Sequence, residues 1–447
     1  MRKAIATLLL CSATLGLAGC ETVGDVVPSG LKFFGPKEEI LPGERHAALA
    51  SSDPTAVDEK AAAVPVSLPA PAAIGDWAQP GGNASNSPGN LAVGGGGFST
   101  SVALSGSNSR VGFGGGLAAR KLSVSPISYQ GGIYVMDSAA TVTALGGGGR
   151  SWSTSLKPEG EKSGGGFGGG LAGDNGRIFA ATGYGKVHAL DASNGAVLWT
   201  HDLESPARSA PTVTGGRVYL VSSDNVIHSL SVDDGTEIWS YRGIPETAGL
   251  LSTSSPAVSG NRVVVPYSSG EIIAFDTAKG EPVWGDQLTG GSRFSAVSGL
   301  RDVAGSPVIS NGTVYAVGVG GRMVAVAEKN GERLWARNIA SSQTPVVAGN
   351  SVFLVTLNGD LLALDRATGN VRWKTALPGA GTSWSGPVLA NSQLWLGASD
   401  GRILTANAVN GQIVGSTKSS GPIYVRPIAA NGSVVFIDDN GRVTGVN

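Results

Sequence analysis

Ala363-Leu364-Asp365-Arg366-Ala367-Thr368-Gly369-Asn370-Val371-Arg372-Trp373 reads as an apolar strand end, an Asp, a turn closed by Gly369 and a Trp four residues later. The same frame recurs at Ala189…Gly195…Trp199, Ser229…Gly235…Trp239, Ala274…Gly280…Trp284 and Ala325…Gly331…Trp335, and without the Trp at Thr405…Gly411…Gly415. Self-similarity at this spacing marks a repeat architecture, so these residues measure out structural units before they can be candidates for chemistry. Composition agrees, since 69 Gly with only 15% charged residues suits many short strands and tight turns.

One unit can be taken apart. Residues 344–349, 351–356, 360–365 and 370–375 read as four short antiparallel strands, with Asn358-Gly359 as a two-residue hairpin turn that needs positive φ at both positions. The runs 352–355 and 361–364 are continuously apolar, so both faces of the small sheet must be covered, and radial repetition of four-stranded sheets supplies that cover. The Trp then fills the space between neighbours, at about 2–3 kcal/mol of burial each. Fourth-strand Trp stand at 152, 199, 239, 284, 335 and 373, with Gly415 in the seventh slot. First-strand prolines (Pro126, Pro211, Pro256, Pro307, Pro345, Pro387, Pro427), with Leu171-Ala172 where Pro is missing, mark eight starts. The eighth unit ends before a fourth strand, and the strand-length stretch 98–104 has no unit of its own. The expectation is an all-β, eight-bladed β-propeller of four-stranded antiparallel blades, closed by an N-terminal strand that removes the open edge.

The chain's start differs from the rest. Residues 1–19 carry Arg2 and Lys3, an apolar core and a small-residue end, the pattern of a secretory signal peptide. Leu17-Ala18-Gly19-Cys20 is similar to the bacterial lipobox, which would make Cys20 the lipidated first residue of the mature chain. Residues 20–75, rich in Ala, Pro and Ser, read as a flexible tether spanning roughly 40 Å, and 76–447 as the propeller. The two cysteines are Cys11 and Cys20, so the mature chain has no disulfide. The 32 basic residues less Arg2 and Lys3 leave 30 against 33 acidic, a net of −3 with His neutral, which argues against a nucleic-acid surface. Beyond the signal there is no apolar run of membrane-spanning length, so attachment would be through lipid.

The repeat resembles the PQQ-type propeller repeat of quinoprotein dehydrogenases and their non-enzymatic relatives. Cys20 with its lipobox, Leu41-Pro-Gly-Glu-Arg45, Trp77 and Gly81-Gly-Asn83, leading into eight repeats, resemble the BamB-type lipoproteins of the outer-membrane β-barrel assembly machinery. That resemblance implies a non-enzymatic scaffold, lipid-anchored at the periplasmic face of the outer membrane. Its partners would be the periplasmic domains of the central barrel-assembly protein and other subunits of the complex, with unfolded barrel precursors as further candidates. It places partner contacts on loops between middle blades, at positions matching Leu250, Leu251, Arg301, Asp302 and Val303. Independently, the connectors 241–254 and 288–305 are the long ones, and long loops on a rigid scaffold are where binding concentrates.

The resemblance implies no chemistry, cofactor or metal. A PQQ-dependent dehydrogenase is the main rival, but such enzymes characteristically carry adjacent cysteines, and the recurring Asp191, Asp276 and Asp365 occupy a turn slot. His188 and His228 share a slot filled elsewhere by Ile273, Val324, Leu362 and Leu404, which reads as packing and not metal ligation. The Gly-rich runs lack the Lys and Ser/Thr of a phosphate loop and read as flexible loops. A generic ligand-binding or sugar-binding propeller would want clustered aromatics, and Trp77, Trp384 and Trp395 are dispersed in sequence.

Overall fold

In the computed structural model, which describes residues 53–73, 75–104, 122, 124–146, 151–161, 166–246, 254–288 and 302–447, the repeats form eight four-stranded antiparallel sheets. Blades one to seven span 127–155, 169–202, 212–242, 257–287, 308–337, 346–376 and 384–418. The eighth joins Ile428–Ala430, Ser433–Ile437 and Arg442–Val446 to the N-terminal strand Phe98–Ser101. Phe98 faces Gly445 and Ser101 faces Arg442, so the ring closes as expected from sequence.

The sixth blade shows how the residues dictate the unit. Its strands are Val346–Ala348, Ser351–Val355, Asp360–Asp365 and Val371–Ala376, and the two middle ones are buried on both faces. The hairpin between them differs from expectation. It is a four-residue turn, 356–359, closed by hydrogen bonds between Thr356 and both Gly359 and Asp360, and of its residues only Gly359 has positive φ. The Asp slot does what a turn residue should: Asp365 Oδ1 accepts the Ala367 and Thr368 amides, and Asp191 and Asp276 repeat the arrangement.

Neighbouring blades are latched by Trp and Gly together. Trp335 Nε1 donates to the Arg366 carbonyl of the next blade at 3.0 Å, and Trp152, Trp199, Trp239, Trp284 and Trp373 do likewise. The repeat glycine is the matching socket: Gly369, at φ +71, lies under Trp335, and a Cβ there would come within 2.6 Å of the indole. Gly415 interrupts the series for a topological reason. The eighth blade's third and fourth strands lie at opposite ends of the chain, so no glycine turn exists there to receive a seventh Trp.

Two segments were not legible as structure. Residues 77–95 form a strap along the innermost strands, pairing with one blade after another. The Trp77 carbonyl accepts Ser128 N–H, Ala78 accepts Gly173, Ala84 accepts Val258 and Ser85 accepts Ile309. The Gln79 amide pairs twice with the Val213 backbone, and Leu91 and Gly94-Gly95 bond to the seventh and eighth blades. Residues 53–73, expected to belong to the tether, instead form an ordered belt on the sixth blade. Asp58 N–H donates to Val371 O, Asp58 caps the short helix Glu59–Ala62, and Ser67 and Pro65 bond to Asn350. Arg372 donates to the Val64 and Pro65 carbonyls and pairs with Asp365 at 2.5 Å. The tether reading fails for these residues because Ala, Pro and Ser, which look unstructured alone, find their backbone partners on the propeller. The signal peptide, Cys20 and the tether up to residue 52 lie outside the described residues.

The flexible-loop reading of the Gly-rich runs is corrected at 168–170: Gly169 and Gly170 open the buried first strand of the second blade, all three have positive φ, and a Cβ on Gly170 would overlap Ala210, just before the third blade. The run at 114–116, and residues 147–149 of the run at 146–149, lie outside the described residues.

Candidate partner-binding surface

The long connectors leave the third and fourth blades after Arg242 and Gln287. Leu250, Leu251 and Arg301 lie outside the described residues. Asp302 and Val303 lie within them and are buried, with 1% and 0% exposure, so the expectation that they present side chains on the surface is corrected. Asp302 forms a buried ion pair with Arg208, 94 residues earlier, and Arg208 also donates to Pro266 O. Burial draws the Arg208 pKa down, and the Asp302 charge opposes that. Val303 N–H is held by Tyr267 O, and Asp302 O accepts Val319 N–H. These two residues therefore fix the end of the second connector. Sequence reasoning missed Arg208 because only the fold brings it to Asp302.

Beside the first connector lies a cleft of about 390 Å³ between the outer strands of the second and third blades. His228 spans its floor, with Nδ1 2.7 Å from Glu237 Oε2 and Nε2 3.2 Å from Ser222 Oγ. Arg242 Nη1 lies 2.7 Å from Asp224, and Nη2 reaches Glu204 of the second blade at 3.7 Å. Burial works to raise the Glu237 and Asp224 carboxyls, but hydrogen bonds, from His228 and Ser240 in one case and Ser222 and Arg242 in the other, outweigh it and hold both below the usual range. The Ser222 hydroxyl sits 2.5 Å from Asp224 Oδ1 and is itself buried, which leaves it poorly placed as a nucleophile. His188, in the same slot one blade earlier, is buried with Nδ1 2.9 Å from Thr200 Oγ1. Among the described residues no group of three or more His, Cys, Asp or Glu is arranged to hold a metal ion.

Trp77, the first residue of the strap, is fully buried with the Arg426 guanidinium over its ring, and Trp384 and Trp395 are buried as well, so these three do not make a sugar platform. A cavity of about 560 Å³ lies where the strap passes the sixth blade, lined by Ser85, Ser87, Val347, Gly349 and Arg366. The Arg366 donors there are already bonded to Tyr315, Gly349 and Ser310.

Residues 137–375 match the family model described as outer membrane protein assembly factor BamB. The chain belongs to the BamB family. The matched stretch contains both long connectors and the Arg208–Asp302 pair. BamB from Salmonella typhimurium is 27% identical over 330 residues, covering 72% of this chain and 83% of the relative. BamB from Moranella endobia is 24% identical over 279 residues, covering 62% and 71%. Among solved structures, BamB from Moraxella catarrhalis superposes with a TM-score of 0.66 at 21% identity, over 79% of this chain and 98% of that one. A europium-containing methanol dehydrogenase superposes with a TM-score of 0.64 at 14% identity, over 83% and 89%. Likeness at these identities is likeness of fold, shared by BamB and by enzymes alike.

Proposed function

We propose that this BamB-family propeller is a non-enzymatic adaptor of outer-membrane protein assembly that binds the periplasmic domains of the central barrel-assembly protein. The observation that carries the reading is the family match across both long connectors. Leu250, Leu251 and Arg301 supply the contacts, while the buried Asp302 and Val303 hold the end of the second connector in place. Residues 1–19 direct export, and lipid on Cys20 anchors the chain to the periplasmic face of the outer membrane. The strap supports the non-enzymatic reading over a dehydrogenase: residues 77–95 bond to the innermost strands, or their hairpins, of blades one to five, seven and eight, where an axial ligand site would lie.

The test is co-purification from solubilised envelope. Leu250→Glu with Arg301→Glu should lose the central barrel-assembly protein while melting stays unchanged, and Cys20→Ser should move the chain to the soluble fraction. Retained co-purification in the double variant overturns the connector assignment. Quinone-dependent dye reduction by the purified protein would decide for the enzyme.

A further inference from the structure

The outer strands of the blades carry a repeated exposed aliphatic just before the latch position: Leu198, Ile238, Val283, Leu334 and Val414 are each 41–53% exposed. The sixth blade departs from this pattern. There Val371 and Arg372 are only 3% and 4% exposed, because the chain's own belt lies over them and Asp58 N–H bonds to Val371 O in parallel pairing. Among the described residues there is thus one example of an outer edge covered by an extended segment, and further edges of the same build without one.

The third blade's outer strand, Glu237–Arg242, is distinguished by what flanks it. Among the described residues no strand follows it in its sheet. On the side of the second blade lies the 390 Å³ cleft with Asp202, Glu204, Asp224 and Glu237 against the single guanidinium of Arg242, and Lys186 held at Asp202 outside. On the side of the fourth blade lies a second cleft, of about 500 Å³, walled by Tyr241, Ile273, Pro282, Val283 and Trp284. Its carboxylates are Glu271, which accepts from Ser269, and Asp286, which is paired with Arg333. A strand added to this edge would turn successive side chains to opposite faces of the blade, one toward the acidic cleft and the next toward the aromatic and aliphatic one.

We propose that the free edge of the third blade takes up an extended polypeptide segment in which basic and apolar side chains alternate. Backbone pairing supplies affinity, and the two clefts read the alternation. The site shares Tyr241 and Arg242 with the root of the first connector, but its test reads peptide affinity and not co-purification, so it can succeed or fail independently of the adaptor reading.

The experiment uses the full chain with Cys20→Ser and fluorescein-labelled eight-residue peptides in anisotropy titrations. Alternating Arg-Val should bind at least about tenfold tighter than alternating Glu-Val and than a block peptide of four Arg followed by four Val. Glu204→Lys and Val283→Asp, both at exposed positions, should each weaken the Arg-Val peptide about tenfold, whereas Val414→Asp on the seventh blade should leave it unchanged. Equal binding of the acidic or block peptide, or affinity indifferent to both third-blade substitutions, overturns the proposal.

Discussion

Gly349→Ala should release the belt while leaving the ring standing. Gly349 has φ +55, and a Cβ there would overlap the Ser67 carbonyl. An alanine in this left-handed region costs about 1–2 kcal/mol by itself. The methyl also forces Ser67 away, which breaks the bond from Ser67 N–H to Asn350 Oδ1 (2.8 Å), from Asn350 N–H to Ser67 O (3.2 Å) and from Asn350 Nδ2 to Pro65 O (3.0 Å). At about 1 kcal/mol net for each, docking weakens by about 3 kcal/mol, a factor of roughly 10² in the local opening equilibrium. Native-state hydrogen exchange reads this directly. The Ser67 amide, and the distant Asp58 amide that bonds to Val371, should both lose about two orders of magnitude of protection, and trypsin should gain access at Lys60. The ring should melt no more than about 5 °C lower, since only the glycine's own strain falls on it. Unchanged protection at Ser67 and Asp58 would refute the reasoning, because it would mean the Gly349–Ser67 approach does not hold the belt.

Two further outcomes follow from buried features. Burial holds the His188 imidazole down to about 4, with Lys186 reinforcing and Asp202 opposing it. The unfolded chain takes up this proton near 6.5, so it binds more protons than the folded state between these values and stability falls as pH drops through that window, by about 3 kcal/mol in all. Urea unfolding at pH 7 and pH 4.5 should show a smaller acid loss in His188→Gln than in the parent, and equal losses would refute the assignment. Deleting residues 96–104 removes the eighth blade's outer strand and bares Arg442–Val446, so the product should elute as aggregate. A monomeric product with unchanged melting would sink the closure argument.

The ring was legible from sequence because its information is periodic. The Asp, Gly and Trp of Ala363–Trp373 each serve a local need, a turn, a left-handed residue and a filler, and repetition amplifies the signal. Sequence reasoning assigned the glycine to its own turn alone. Only the structure shows it is also the socket for the preceding blade's Trp, which lies 34 residues earlier in the Trp335–Gly369 pair. The strap and the belt were opaque for the opposite reason. Trp77 O, Ala78 O, Ala84 O and Ser85 O each take a single backbone bond from a different blade, and backbone bonds place almost no demand on side-chain identity.

Asp302 marks the same boundary at the candidate site. In a connector rich in Gly and Ser, a charged residue reads as exposed, because Asp is rarely buried without a partner. Its partner Arg208 stands at the start of the third blade, and nothing local announces the pair. A buried pair of this kind contributes little net stability compared with apolar residues of similar volume, yet removing one member strands the other charge. Its value in this fold is therefore geometric: it ties the segment before the third blade to the segment before the fifth across Pro266 of the fourth. Asp302→Lys would put two cations together in that space and unsettle the end of the second connector, so loss of binding in that variant would report on support, whereas Leu250→Glu probes the contact itself.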